Sequence, residues 1–166
     1  MEEKFLCVLA TFDEQTTRQM KEIEQALNAE GIVGQQTPDL PHHITLGYFD
    51  TSREEDIKQL LRDVSKETAC FDLAFNHVGL FGLKVLFLAP DVNYALLDLH
   101  KKFERESIES EKGWTAHATI LIDKPEIIQK ALPLVVEKFN MLNARVEKLN
   151  LYAFFPTRFI AEYTLQ

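Results

Sequence analysis

Two stretches decide how this chain is read: Pro41-His42-His43-Ile44-Thr45-Leu46 and Ala116-His117-Ala118-Thr119-Ile120-Leu121. Each contains the pattern His-x-Thr-apolar, and each lies in an apolar, strand-like run, 44–49 and 118–122. Side chains two apart on a strand share a face. His43 therefore shares a face with Thr45, and His117 with Thr119, while Ile44, Leu46, Ala118 and Ile120 take the opposite, core-facing side. Two imidazole–hydroxyl pairs on two strands can converge on one phosphate. That arrangement suits acid–base phosphoester chemistry without a metal.

The flanking sequence supplies the rest of a mixed fold. Residues 4–12 read as a buried strand, with Phe5, Leu6, Val8 and Leu9 around Cys7. Asp13 is placed as a helix N-cap, Met20, Ile23 and Leu27 recur at helical spacing, and Gly31 is the stop. Gly34, Pro38 and Pro41 make 33–42 a loop into the first motif strand. Ser52 and Glu55 are spaced as a capping box ahead of the stripe Ile57, Leu60, Leu61 and Val64. Strands are expected over 71–81 and 85–88, with a turn at Gly82 and an end at Pro90. Asp91 is the expected cap of a helix carrying Leu96, Leu97, His100 and Phe103. The charged run 104–113 reads as a solvated helix end and loop. Pro125 suits the first turn of a helix through 139, which Pro133 is expected to kink or split. Two strands, 144–155 and 159–165, close the chain.

The order partly repeats: strand, helix, motif strand, helix, twice over. The two motif histidines lie 74 positions apart (43 and 117), close to half of the 166 residues. The predicted fold is a duplicated α+β unit in a single domain, 1–166. It has two antiparallel sheets facing a central cleft, helices outside, and the motif strands across that cleft.

At 46% hydrophobic and 27% charged, the chain has the composition of a globular domain and the length to bury a core. No apolar run is long enough to span a bilayer. The start, Met1-Glu2-Glu3-Lys4, lacks the basic region of a signal peptide. Cys7 and Cys70 each lie in an apolar stretch and read as free thiols of a reducing cytosol. The expectation is a cytoplasmic monomer with no membrane partner and no cofactor. A net charge of −8 disfavours long duplex nucleic acid, which needs a basic surface to release counterions. A small nucleotide or an RNA-end phosphate fits that balance.

Histidine titrates nearest neutral pH, so two of them can hold opposite protonation states, one taking a proton from water and one protonating the departing ribose oxygen. Thr45 and Thr119 can donate to the non-bridging oxygens as charge builds there. His42 faces away from His43 and reads as a loop-end or supporting residue, and His77 and His100 read as structural. The five histidines lack a close-spaced ligand pair and the cysteines are lone, so no metal site is expected. Of the aromatics Tyr48, Phe49, Phe81, Trp114 and Phe155, most belong in the core; Trp114 and Tyr48 are the candidates for stacking on a base. Lys124 and Arg158 are the candidate phosphate-binding cations.

The paired stretches 41–46 and 116–121 resemble the signatures of the 2H phosphoesterase superfamily, with its LigT-like 2′-5′ RNA ligases and cyclic nucleotide phosphodiesterases. The resemblance covers nearly the whole chain, from the opening strand and helix to the closing strands around Pro156. It implies a bilobal, pseudo-twofold fold and metal-independent action on 2′,3′-cyclic phosphates or 2′-5′ phosphodiester bonds. It also makes His117 the base and His43 the acid in hydrolysis, exchanged in ligation. The alternatives are a 2′-5′ RNA ligase or a nucleotide-binding module without turnover; two complete motifs argue against the latter. Few basic residues flank the motifs, unlike the nucleic-acid-handling members, which points away from a long RNA substrate.

Overall fold

In the computed structural model, which describes residues 2–108 and 113–166, strands and helices follow in the order the patterning predicts. The strands are β1 (Phe5–Phe12), β2 (His43–Phe49), β3 (Phe71–Phe81), β4 (Val85–Pro90), β5 (Ala118–Ile122), β6 (Leu142–Phe154) and β7 (Arg158–Thr164). The helices are α1 (Glu14–Ala29), α2 (Glu54–Glu67), α3 (Tyr94–Glu104) and α4 (Pro125–Lys138). No helix among the described residues is long and apolar enough to cross a membrane.

The strands form one antiparallel sheet in the order β2-β1-β6-β3-β4-β5, with β7 also on β6. The sequence pattern predicts two separate sheets, and β6 is why there is one. It runs for 13 residues, pairs β1 from Val146 to Phe154, and reaches back to pair β3 over Leu142 to Val146. β3 and β7 share its other edge in succession. The motif strands β2 and β5 stand at the two ends of this path, each with a strand on one edge only.

β1 is buried on both faces. Leu6, Val8 and Ala10 join the main core with the apolar stripes of the helices. Cys7 and Leu9 join a smaller cluster with Phe154 on the other side. A strand covered twice reads as a continuous apolar run, which is how 5–10 reads in the sequence. α1 is capped as expected, Thr16 N–H donating to Asp13 Oδ1 at 2.9 Å, and it buries Met20, Ile23 and Leu27. Gly31 ends it with φ +75°.

Three local expectations fail for local reasons. The Ser52/Glu55 box does not form, because Asp50 accepts from Ser52 N–H (2.9 Å) and caps a 3₁₀ turn at Thr51–Arg53 before α2 begins. α3 is capped by Asn93, whose Oδ1 accepts from Leu96 N–H at 3.0 Å; the carboxylate of Asp91 is held by the His77 ring at 2.8 Å instead. α4 is not split by Pro133. That residue is on the exposed face, where water can serve the carbonyl that proline leaves unpaired. Of the charged run 104–113, residues 109–112 lie outside the described residues.

Phe75 is fully buried and meets Phe12 edge-on at 5.7 Å, joining β3 to β1 across β6. Phe75→Ala is expected to lower stability by about 3–5 kcal/mol, read from urea unfolding midpoints.

Candidate active site

Both motif segments alternate as the period of two requires: His43 and Thr45 half-buried, Ile44 and Leu46 buried; His117 and Thr119 half-buried, Ala118 and Ile120 buried. His43 opens β2, and His117 immediately precedes β5. The alternation then breaks at the same place in both. Gly47 follows Leu46 inward, and Leu121 follows Ile120. The cause is a register shift in each ladder. Val8 opposes Gly47 while Leu9 opposes Thr45, so Leu46 is extra; Leu86 opposes Leu121 while Phe87 opposes Thr119, so Ile120 is extra. A bulge re-aims the side chains beside it.

The four motif side chains line one cleft of about 680 Å³, although their strands are at opposite ends of the sheet. The volume is that of a small-molecule site. Its floor is the apolar cluster of Cys7, Leu9 and Phe154. The loop 33–42 makes one wall, and Phe5, Tyr48, Phe81 and Phe155 bring aromatic faces to it. Its charged members among the described residues are Glu24 and Asp39, with no Lys or Arg.

Both rings are held alike. His43 Nδ1 lies 2.7 Å from the Pro41 carbonyl oxygen, and His117 Nδ1 lies 2.7 Å from that of Thr115. A carbonyl only accepts, so Nδ1 carries the hydrogen in each ring and Nε2 is left for chemistry. Burial lowers His43 to about 4, and the neighbouring rings of His42 and His117 push the same way; the Pro41 carbonyl opposes them. Burial also lowers His117, against the Thr115 carbonyl. Both rings are therefore neutral at pH 7, and Nε2 is a lone-pair base. Phe81 stands edge-on to the His117 ring at 4.7 Å and Phe87 lies tilted at 5.2 Å, fixing its plane.

At the floor Thr45 lies against both Cys7 and Tyr48. Burial pushes the Cys7 thiol up to about 12, and hydrogen bonding with Thr45 offsets part of that rise. Tyr48 is likewise raised by burial and eased by Thr45. Cys7 is thus a protonated thiol at neutral pH. Against expectation His42 lines the same cleft as His43, and it sets its Nε2 3.1 Å from Glu24 Oε2. Burial lowers it to about 4, with the Lys21 charge adding to the effect, so the neutral ring donates Nε2–H to the carboxylate.

Of the candidate binding residues, Tyr48 lines the cleft and the other three do not. The Trp114 ring stacks on His100 (3.8 Å between centroids, 11° between planes), and its Nε1–H donates to the Thr45 carbonyl at 2.8 Å. It braces the first motif strand from behind. Arg158 is spent on Glu3 (2.6 Å) and Glu54 (2.6 Å), and hydrogen bonds to both raise its pKa further. Lys124 is exposed just ahead of α4. Phe49 is fully buried core. Sequence reasoning takes the loop 33–42 only as a connector and misses it as a wall. Its glycine and prolines beside a motif are the available signal. Among the described residues no three His, Cys, Asp or Glu side chains cluster as metal ligands.

A family model described as the 2′-5′ RNA ligase superfamily matches residues 12–154. No curated protein matches significantly by sequence. Solved structures match over the whole chain at low identity. E. coli LigT complexed with 3′-AMP is 16% identical, with 99% of each chain covered and a TM-score of 0.66. TT0787 of Thermus thermophilus is 13% identical, with 97% of each chain covered and a TM-score of 0.67. At such identities the likeness is one of fold.

Two consequences are measurable. Trp114→Phe keeps the stack but removes the Thr45 hydrogen bond; it should lower stability by about 1 kcal/mol, as seen by denaturation. The second concerns pH. His42 and His43 are depressed from 6.5 to about 4, so the unfolded chain takes up protons first as pH falls. Stability is full above 6.5 and is lost between there and about 4. Urea midpoints should fall across that window, and less steeply in His42→Gln protein.

Proposed function

The chain belongs to the 2′-5′ RNA ligase superfamily, and we propose that it is a metal-independent phosphodiesterase working by paired-histidine acid–base catalysis. Its substrate is a 2′,3′-cyclic phosphate or a 2′-5′ phosphodiester on a small nucleotide or RNA end. One observation carries the reading: two imidazoles on one cleft, each tied through Nδ1 to a carbonyl, each with Nε2 left over. One Nε2 accepts a proton from water as its oxygen attacks phosphorus. The other donates a proton to the ribose oxygen as its bond to phosphorus breaks, leaving a phosphomonoester. Thr45 and Thr119 donate to the non-bridging oxygens, whose charge grows in the transition state.

In-line displacement requires base and acid on opposite sides of phosphorus. The matching bulges and matching carbonyl anchors support two halves related by a pseudo-twofold axis, acting as one unit over residues 1–166. On this reading His117 takes the proton from water and His43 serves the leaving group, with the roles exchanged in ligation. Both rings are neutral at rest, so the acid must be loaded. A phosphate anion between the rings favours the imidazolium and supplies that bias.

The cleft also narrows the substrate. Carboxylates and aromatic walls without a Lys or Arg, among its described residues, suit one phosphate and one base better than a polyanion. The structures of E. coli LigT with 3′-AMP, ATP, NADP⁺ and phosphate are consistent with nucleotide binding in this fold. Cys7 and Cys70 are unpaired, in keeping with a cytoplasmic enzyme.

The test is turnover of nucleoside 2′,3′-cyclic phosphates with and without chelator. Chelation is expected to change nothing, and His43→Ala and His117→Ala each to lower kcat by ~10²–10⁴. Wild-type turnover in either variant, or activity lost to chelator, overturns the mechanism.

A further inference from the structure

An edge strand leaves backbone N–H and C=O groups unpaired along its open side. Both motif strands are edge strands, and both use that side in the same way at the fifth residue after the histidine, Tyr48 and Ile122. Tyr48 N–H donates to Ser107 Oγ at 3.0 Å, and its carbonyl accepts from Ile108 N–H at 2.7 Å. Ile122 N–H donates to Gln36 Oε1 at 3.1 Å, and its carbonyl accepts from Gln35 N–H at 2.6 Å. In each case one adjacent pair of residues supplies a side-chain acceptor and a backbone donor.

The two pairs are exchanged between the motifs. Residues 35–36 precede the first motif yet grip the strand of the second; residues 107–108 precede the second motif yet grip the strand of the first. The first grip is pre-set. Gln36 Nε2 donates to the Val33 carbonyl at 3.0 Å, which aims Oε1 at Ile122. Gly34, at φ +85°, leaves the room: a Cβ there would come 2.1 Å from Gln36 Oε1 and 2.6 Å from Leu121 Cδ1.

We propose that these are reciprocal clasps that set the spacing of His43 and His117, with Gln36 and Ser107 as positioning residues. Gln36 lines the cleft, but its amide is engaged with Ile122 and Val33. Gln35 and Gln36 fix the second motif strand to the loop that delivers the first, while Ser107 and Ile108 hold the first from the segment that follows α3, so the spacing of the histidines is set from both sides. The proposal rests on the phosphodiesterase reading for its kinetic consequence only.

Gln36→Met and Ser107→Ala remove the acceptors; Ser107→Thr keeps its own. Misplacement by a fraction of an ångström to about 1 Å should cost about 10- to 100-fold in kcat with KM little changed, and Ser107→Thr should stay close to wild type. Amide hydrogen exchange supplies a readout free of turnover. Ser107→Ala should speed exchange at Tyr48 and also at Ile122, and Gln36→Met the converse. Unchanged kcat in folded Met and Ala variants, or damage from Ser107→Thr equal to that from Ser107→Ala, overturns the positioning role. Exchange that quickens only at the amide each variant touches overturns the reciprocity. If the wild type turns over no cyclic nucleotide, the functional reading fails and exchange alone decides the clasps.

Discussion

Two strands from opposite ends of one sheet have to face each other before four side chains can line one cleft. Every other feature of the site answers to that constraint. The order β2-β1-β6-β3-β4-β5 keeps the motif strands as far apart in the hydrogen-bonded path as the sheet permits, yet His43, Thr45, His117 and Thr119 line one cleft. The sheet therefore bends, and the bend needs something on each side. The helical stripes fill one face; the floor of Cys7, Leu9 and Phe154 fills the other. A strand buried twice over, β1, lies between.

Such a sheet also has two open edges at its most demanding positions. Edge strands tolerate displacement, since one ladder alone restrains them. Here the restraint comes from backbone and side-chain groups outside the sheet: Trp114 on the Thr45 carbonyl, Ser107 and Ile108 on Tyr48, Gln35 and Gln36 on Ile122. The loop 33–42 is consequently structural and functional at once, since the segment that holds β5 also lines the cleft.

The motifs were legible because they depend on short-range chemistry. Period-two alternation needs only adjacent residues, and it places 43–46 and 117–120 correctly. The Asp13 cap and the α1 stripe are equally local. What was not legible depends on distant partners. Nothing in the sequence of β6 says that it pairs β1 and β3 together, so one sheet reads as two. Arg158 reads as a free cation until Glu3 and Glu54 are found beside it, and Trp114 reads as a base platform until His100 covers its face. The caps of α2 and α3 fail on a smaller scale: an acceptor two residues away competes, and geometry chooses.

The electrostatics of the cleft give its chemistry a direction. Burial removes the charge from His42, His43 and His117, and the lining contributes carboxylates in place of cations. With both motif rings neutral, neither His43 nor His117 carries a proton on Nε2 to give. In the proposed reaction the general acid is therefore made by the substrate, whose phosphate favours an imidazolium that the apolar walls otherwise forbid. The same walls then strengthen the attraction, because the charges meet where water is scarce. A cleft with standing cations would bind phosphate more tightly in the ground state; one that charges only on binding reserves more of that attraction for the charge that grows during displacement.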